Sequence, residues 1–140
     1  MKIKKPNITE LVLRDGQQSL IATRMKIEDM IPALSNLDKV GYSSMEVWGG
    51  ATYDVCLRYL NENPWTRLKI FKKYFKNTKL QMLLRGKNLV GYKSYDDSIL
   101  SLFIKNAAKE GIHIFRIFDA LNDISHIKSS IEFVNREGQN

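Results

Sequence analysis

Apolar and polar positions along the chain follow two alternating periods, which predict strands and helices in turn. Four short apolar runs end in a charged residue and a turn signal, and each precedes a stretch with helical spacing. Taking the strand ends at residues 15, 48, 85 and 118, the runs lie 33, 37 and 33 residues apart. That interval is the size of one strand-plus-helix unit. We therefore predict an α/β fold of four βα units with parallel strands and right-handed crossovers.

The pattern also places the individual elements. The predicted strands cover residues 10–14, 44–48, 79–84 and 112–118. The predicted helices cover about 27–40, a long helical region of about 52–74, residues 97–109, and a last helix that begins near Ser125. Pro64, which follows Asn61-Glu62-Asn63, is placed to restart the long helical region as the first residue of a new helix.

Four such units fit two architectures. One is an arc of a TIM (β/α)8 barrel, although a closed barrel needs about 250 residues and the chain has 140. The other is a small open doubly wound sheet, and periodicity does not separate the two. The chain ends at residue 140, where a fifth strand would begin, and no linker or composition shift marks a domain boundary.

Composition excludes several classes of protein. With 44% apolar and 26% charged residues, the chain is typical of a globular domain and not of a disordered one. Because no apolar run approaches the roughly 20 residues of a membrane span, we expect a cytoplasmic protein without membrane insertion. The net charge is +7, but the lysines are scattered and aromatic residues do not interleave with them. We therefore predict no nucleic-acid binding.

Cysteine and histidine offer little chemistry in this chain. Cys56 lies in a stretch that reads as helix, and we interpret it as a buried small hydrophobe, not a reactive thiol. His113 opens the fourth strand and His126 lies on the last helix. Neither has metal-ligand spacing to another histidine, so both are predicted to be surface or capping residues.

The charged residues at the strand ends are the candidates for function. In a barrel of parallel strands all carboxyl ends meet at one rim, where barrel enzymes place their active sites. That rim would carry Arg14, Asp15, Glu46, Arg85 and Asp119. A carboxylate at a strand end is a natural ligand for a divalent cation, and a guanidinium can hold an enolate or carboxylate oxygen. The alternative for Arg14 and Asp15 is an ion pair that closes a turn.

Glu46 lies in an otherwise apolar strand. Buried glutamates are seldom tolerated without a partner, so we predict that Arg14 pairs with it. Trp48 either walls a pocket or fills the core. Arg85 ends the third strand and is followed by Gly86, which leaves the backbone open to a ligand.

The residues that follow are weaker candidates. Asn88 and Tyr92 lie in the loop after the third strand. Arg116 and Asp119 alternate with apolar neighbours near the fourth strand. We expect one of these two to pair internally and the other to reach the rim.

Several motifs resemble one enzyme family. Residues 14–25, Arg-Asp-Gly-Gln-Gln-Ser-Leu-Ile-Ala-Thr-Arg-Met, resemble the opening motif of the biotin-dependent carboxyltransferase domain. That domain occurs in pyruvate carboxylase, in the oxaloacetate decarboxylase alpha subunit and in transcarboxylase. Residues 46–52, 63–65, 81–86 and 115–123 are similar to the family's next landmarks, in the right order. The resemblance covers practically the whole chain.

The resemblance implies a TIM barrel that moves a carboxyl group between carboxybiotin and pyruvate or oxaloacetate. It implies a divalent metal (Zn, Mn or Co) that polarises the keto oxygen, and biotin carried on a separate domain or subunit. By the same resemblance Asp15 is a metal ligand, Arg85 grips the 2-oxo acid, and Arg14 and Gln18 contact the substrate.

Two further positions follow from the resemblance. Glu46 matches an acidic position of the wider superfamily, where it orients the arginine, so Arg14, Gln18 and Glu46 form the implied catalytic set. Gln17 departs from the histidine commonly found at its position, which leaves its role open.

The family's metal site also needs a His-x-His pair and a carboxylated lysine, and its catalytic threonine comes later still. None of these is present, so we interpret residues 1–140 as the N-terminal half of a pyruvate carboxyltransferase-type barrel, inactive alone. Because Met1 directly precedes the motif, we favour an oxaloacetate decarboxylase alpha subunit or a pyruvate carboxylase B-type subunit. The alternatives are a metal-dependent acyl-CoA lyase or synthase of the same superfamily, and an inert or self-pairing half barrel.

Overall fold

One parallel sheet organises the computed structural model, which describes residues 6–140. Its strands are β1 (Thr9–Glu10), β2 (Ser44–Trp48), β3 (Lys79–Leu84) and β4 (Ile114–Ile117). They lie in the order β1-β2-β3-β4, and every neighbouring pair is parallel. A doubly wound sheet reverses its strand order at a switch point, and this sheet does not. The architecture is therefore an unclosed arc of a barrel, as predicted.

Six α-helices connect and cover the strands within the part of the chain that the structure describes. They are α1 (Gln17–Ile21), α2 (Ile27–Lys39), α3 (Gly50–Val55), α4 (Pro64–Tyr74), α5 (Asp97–Lys109) and α6 (Ile124–Arg136). Two π-helical turns, Val12–Gly16 and Cys56–Leu60, and a 3-10 turn, Gly86–Asn88, complete the elements. The predicted restart of the long helical region is confirmed, because Pro64 begins α4 and the Asn63 side chain accepts from the backbone N–H groups of Trp65 and Thr66.

The first predicted strand is wrong in its extent. β1 ends at Glu10, and residues 12–16 form a π-helical turn. The Glu10 carboxylate accepts from the backbone N–H groups of Leu11 and Val12 at 2.8 and 2.9 Å. The Leu11 carbonyl accepts from those of Asp15 and Gly16 at 2.8 and 3.2 Å. These local bonds replace the ladder that a longer strand would have made.

The core lies between the sheet and its helices, and Trp48 is at its centre. The Trp48 ring is fully buried, 5.0 Å from Trp65 and 5.7 Å from Phe103 between ring centroids. Such aromatic pairs add packing energy beyond the area they bury. Of the two predictions for Trp48, the core position is confirmed. Cys56 is also fully buried, as predicted.

A buried carboxylate fixes the approach to β3. Asp38, at the end of α2, accepts from the backbone N–H groups of Lys76, Asn77 and Thr78 at 2.9 to 3.2 Å. Burial would raise the pKa of Asp38, but these hydrogen bonds outweigh burial and lower it. The ionised side chain therefore joins the loop before β3 to α2.

Beyond β4 the hydrogen-bond ladder continues. Asn140 donates its N–H to the His113 carbonyl at 3.2 Å and accepts from the Phe115 N–H at 2.6 Å, which is the parallel pattern. The sheet edge at β4 is thus partly paired. Within residues 6–140, no helix is long and apolar enough to cross a membrane.

Candidate active site

Glu46 is the centre of a buried polar network on one face of the sheet. Its side chain has no exposed surface, and five donor atoms from three side chains bind it. Arg14 reaches Oε1 through Nε at 2.7 Å and Nη2 at 2.6 Å. Arg116 binds Oε2 through Nε at 2.7 Å and Oε1 through Nη2 at 2.9 Å. Gln81 donates to Oε2 at 2.7 Å, and the predicted Arg14–Glu46 pair is confirmed.

The network stabilises the ionised forms of Glu46 and Arg116. Burial would raise the pKa of Glu46, but hydrogen bonds from Arg116 and Gln81 and the charges of Arg14 and Arg116 outweigh it and lower the pKa. The hydrogen bond to Glu46 raises the pKa of Arg116 against the opposite effect of burial, and the charges of Glu46 and Asp15 raise it further. At neutral pH one carboxylate is therefore shared between two guanidinium cations.

The π-helical turn Val12–Gly16 buries the Arg14 side chain and leaves Asp15 partly exposed to solvent. Arg14 is buried, and its Nη1 lies 2.9 Å from Asp15 Oδ1 and 3.5 Å from Gln18 Oε1. The Asp15 side chain is 48% exposed. The structure thus brings together four of the predicted site residues, Arg14, Asp15, Gln18 and Glu46, although the first two lie on a turn and not on a strand.

Arg85 lies at the carboxyl end of β3 and is held by the loop that follows. Its Nη1 donates to the Gly91 carbonyl at 3.2 Å, and its guanidinium carbon is 5.5 Å from the centre of the exposed Tyr92 ring. Gly50 leaves the space for it, since a Cβ there would stand 3.2 Å from the Arg85 guanidinium carbon. Arg85 makes no hydrogen bond to Glu46 within the described chain.

Asp119 does not join the network. It accepts from the backbone N–H groups of Leu121 and Asp123 at 2.9 and 3.1 Å and lies 3.2 Å from His126 Nδ1. The hydrogen bond from Asp123 is the main cause of its lowered pKa. Of the Arg116 and Asp119 pair, Arg116 is therefore the internally paired residue, and Asp119 closes the turn after β4. The His126 ring is 40% exposed beside Asp119 and Asp123, which agrees with the predicted surface position.

Gln17 also lies apart from the network. It is buried beside an open apolar pocket of about 390 Å3, which the buried Met30 and the exposed Leu20 also line. Its Nε2 donates to the Leu13 carbonyl at 3.4 Å, while Oε1 has no partner within residues 6–140. Nothing in its contacts links Gln17 to Asp15.

A metal would need ligands beyond those of the described chain. Catalytic metal sites commonly use about three protein ligands. Residues 6–140 contain no group of three or more His, Cys, Asp or Glu side chains that could hold a metal ion. Asp15 is exposed enough to serve as one metal ligand, although its Oδ1 also contacts Arg14. Because one ligand is too few, the described residues alone do not form a metal centre.

Sequence reasoning did not identify Gln81 or the role of Arg116. A signal was present for Gln81, because Glu46 and Gln81 interrupt the apolar runs of β2 and β3 and lie opposite each other in the register. Arg116 interrupts the run of β4 and is level with Leu83, two residues beyond Gln81. Since side chains two residues apart point to the same face of a sheet, Arg116 shares the face of Gln81 and Glu46.

Comparison with known proteins finds relatives over nearly the whole chain. Over 131 residues, 94% of the chain, it is 56% identical to a pyruvate carboxylase subunit of Methanocaldococcus jannaschii, of which it covers 23%. Over 135 residues, 96% of the chain, it is 52% identical to the 2-oxoglutarate carboxylase large subunit of Hydrogenobacter thermophilus, of which it covers 21%. No family profile matches the chain.

A solved structure shows the same fold. The carboxyl transferase domain of Rhizobium etli pyruvate carboxylase, determined with oxamate and biotin, superposes with a TM-score of 0.92 at 41% identity. The superposition covers 97% of this chain and 23% of that one. The chain thus spans a quarter or less of the length of these three proteins. The resemblance stated from the sequence motifs is confirmed, and so is the barrel-type arc.

Proposed function

We propose that this chain, which is homologous to biotin-dependent carboxyltransferases, is the N-terminal half of a TIM barrel that moves a carboxyl group between carboxybiotin and a 2-oxo acid. Pyruvate or oxaloacetate is the proposed 2-oxo acid. The relatives support the reaction class, and the coverage of a quarter or less of their length supports the partial barrel. The observation that carries the proposal is the charged network around Glu46, which reaches Arg14 beyond the carboxyl end of β1. Barrel enzymes bind substrate at that end of the sheet.

The chemistry of carboxyl transfer explains why such a network is useful. Pyruvate as acceptor must lose a proton from the carbon beside its carbonyl before it takes the carboxyl group, whereas oxaloacetate as donor gives up its carboxyl group. In both directions the resulting enolate carries negative charge. Preorganised guanidinium groups in a site with little water stabilise that charge. We propose that Arg85 binds the carboxylate of the 2-oxo acid, and that Arg14 and Gln18 contact the reacting part. Glu46 would orient Arg14, since it holds two of its nitrogens.

We propose that the complete enzyme uses a divalent metal and biotin. Asp15 would supply one ligand to a divalent metal (Zn, Mn or Co), which acts as a Lewis acid in such enzymes. Biotin would arrive on a carrier domain or subunit, by analogy with the relative whose structure contains biotin. A cytoplasmic location likewise stays a prediction.

Ligand protection against heat tests the substrate class. We expect oxamate, an unreactive analogue of pyruvate, to raise the melting temperature of the chain, and acetyl-CoA to leave it unchanged. Arg85→Gln should abolish the shift, whereas Arg136→Gln, on the exposed end of α6, should retain it. Protection by acetyl-CoA alone would instead favour the acyl-CoA lyase or synthase alternative.

One relative favours a second substrate. The 2-oxoglutarate carboxylase large subunit is 52% identical, close to the 56% of the pyruvate carboxylase subunit. Protection by 2-oxoglutarate at lower concentrations than by oxamate would identify the longer 2-oxo acid as the substrate. The reaction class would be unchanged.

The isolated chain should not catalyse transfer, because the described residues supply one of about three metal ligands. Transfer of labelled carboxyl from carboxybiotin to pyruvate by the isolated chain would contradict this. Sedimentation and a divalent-metal titration test the remaining alternative. A dimer that binds neither metal nor oxamate would support a self-pairing half barrel.

A further inference from the structure

We propose that Arg116 is a third substrate-binding arginine, beside Arg85 and Arg14, and that its Nη1 donates a hydrogen bond to the carboxylate of the 2-oxo acid. The inference rests on the proposed function and adds a residue to its site. The observation behind it is a difference between the two arginines on Glu46. Arg14 is buried with its side chain 6% exposed, whereas the Arg116 side chain is 48% exposed.

The hydrogen bonds of Arg116 leave one end of its guanidinium available. Nε and Nη2 both bind Glu46, so the side-on edge of the group faces that carboxylate. Nη1 points away from this edge because the guanidinium is planar, with its donors in a fixed fork. Within residues 6–140 no acceptor bonds to Nη1, and it remains free for a ligand.

Unlike Arg116, Arg14 has a protein partner for each of its three guanidinium nitrogens. Its Nε and Nη2 bind Glu46, and its Nη1 lies near both Asp15 and Gln18. A substrate carboxylate would have to displace one of these contacts to bind Arg14. Arg116 could donate from Nη1 to the same carboxylate without losing any of its present contacts.

The position of Arg116 suits a site on the face of the sheet that carries Glu46. In the β3–β4 register Arg116 is level with Leu83, two residues before Arg85. At about 3.3 Å per residue it starts roughly 7 Å below the rim. Its side chain then crosses β3 to reach Glu46 on β2, two strands away. This extended conformation brings the guanidinium from the sheet edge to the middle of the sheet.

The charges around Arg116 determine how an anion would be held. Arg14 and Arg116 are two cations, and the carboxylates of Glu46 and Asp15 balance them, so the four side chains are neutral together. A bound anion would therefore compete with Asp15 for these cations, and what favours it at Arg116 is the free Nη1 donor. An anion beside Arg116 would meet a fixed, partly desolvated donor, and such charge-assisted bonds are the strong ones.

The test observes Arg116 directly in the chain labelled with 15N-arginine. Oxamate is titrated while the side-chain N–H signals of the arginines are followed by NMR. We expect the Arg116 signals to shift and saturate at the same concentration as the thermal protection. Arg116→Gln should weaken oxamate binding by about tenfold or more, the loss of one charge-assisted hydrogen bond. Arg136→Gln is the matched control and should not change binding.

The outcomes separate this proposal from the proposed function. If oxamate binds, Arg85→Gln abolishes binding, and the Arg116 signals do not move, then Arg116 is not a ligand and the function stands. If oxamate does not bind the wild-type chain, both proposals fail together. Should Arg116→Gln fail to fold, Arg116→Lys keeps the charge but loses the two-point contact with Glu46. The wild-type NMR signals still decide the outcome.

Discussion

Replacing Glu46 by glutamine tests the central network most directly. The change keeps the size of the side chain but removes its charge and turns one acceptor into an NH2 donor. Oε1 receives Arg14 and Arg116, and Oε2 receives Arg116 and Gln81. Whichever way the new amide points, its NH2 group therefore faces donors, and two guanidinium cations lose their shared anion.

The expected cost follows from burial. Removing one partner of a buried ion pair costs about 3–5 kcal/mol, and Glu46 has no exposed surface. The Asp15 carboxylate still lies 2.9 Å from Arg14 and compensates part of the lost negative charge. We therefore expect a cost at the lower end of this range, about 3 kcal/mol. That is a large fraction of the roughly 5–15 kcal/mol that stabilises a domain. For a chain of this size it corresponds to a fall in Tm of roughly 10 °C.

Urea unfolding at several pH values is the assay. Because the pKa of Glu46 is lowered in the folded chain, its contribution is fully present above the ordinary glutamate pKa of about 4.3. The contribution disappears as the pH falls through the folded value. The difference in free energy of unfolding between wild type and Glu46→Gln should therefore be largest near pH 7 and shrink steadily below about pH 4.

Glu132→Gln makes the same chemical change at an exposed position of α6, and we expect an effect below about 0.5 kcal/mol. The reasoning would be refuted if Glu46→Gln cost less than about 1 kcal/mol at pH 7. If the cost were about 3 kcal/mol but did not depend on pH, the conclusion that Glu46 is ionised in the folded chain would be refuted.

Three further predictions concern the support of the site. Cys56 should resist thiol reagents until the chain unfolds, because burial raises its pKa to about 11; rapid labelling of the folded chain at pH 8 would contradict this. Trp48→Ala should lower the free energy of unfolding by about 3–5 kcal/mol, since the ring is fully buried against Trp65 and Phe103, and a loss below about 1 kcal/mol would show that the aromatic cluster repacks. Asn63→Ala should cost about 1 kcal/mol in the same measurement because it removes the cap of α4, and an unchanged stability would exclude that role.

Most of the fold could be predicted from local patterns. The second and third strands and the helix over residues 97–109 coincide with β2, β3 and α5. Apolar periodicity is strong there, and an Asp96 side chain caps α5. The first strand could not be predicted in the same way, because its apolar run continues to Leu13. The side chain of Glu10 ends the ladder, and a competition between a side chain and the backbone leaves no mark on hydrophobic periodicity.

The residue types of the site were also predictable, but not all of its contacts. The motifs identified Arg14, Asp15, Gln18, Glu46 and Arg85 as candidates, and the structure brings the first four together. The bonds between Arg116 and Glu46 join residues 70 positions apart. They depend on the register of three strands, which single-strand patterns do not contain. The single polar residues that interrupt the apolar runs of β2, β3 and β4 were the available signal.

A single irregularity in β2 explains how one short strand supports both the core and the site. Glu46 and Trp48 are two residues apart, so strict alternation would place them on the same face. Their register against β3 shifts between these residues: Glu46 pairs with Gln81, and Trp48 pairs with the next residue, Met82. Such a bulge re-aims side chains locally. Glu46 therefore joins the polar network while Trp48 packs among aromatic rings, and a regular strand would force a charge into the core or an indole into the site.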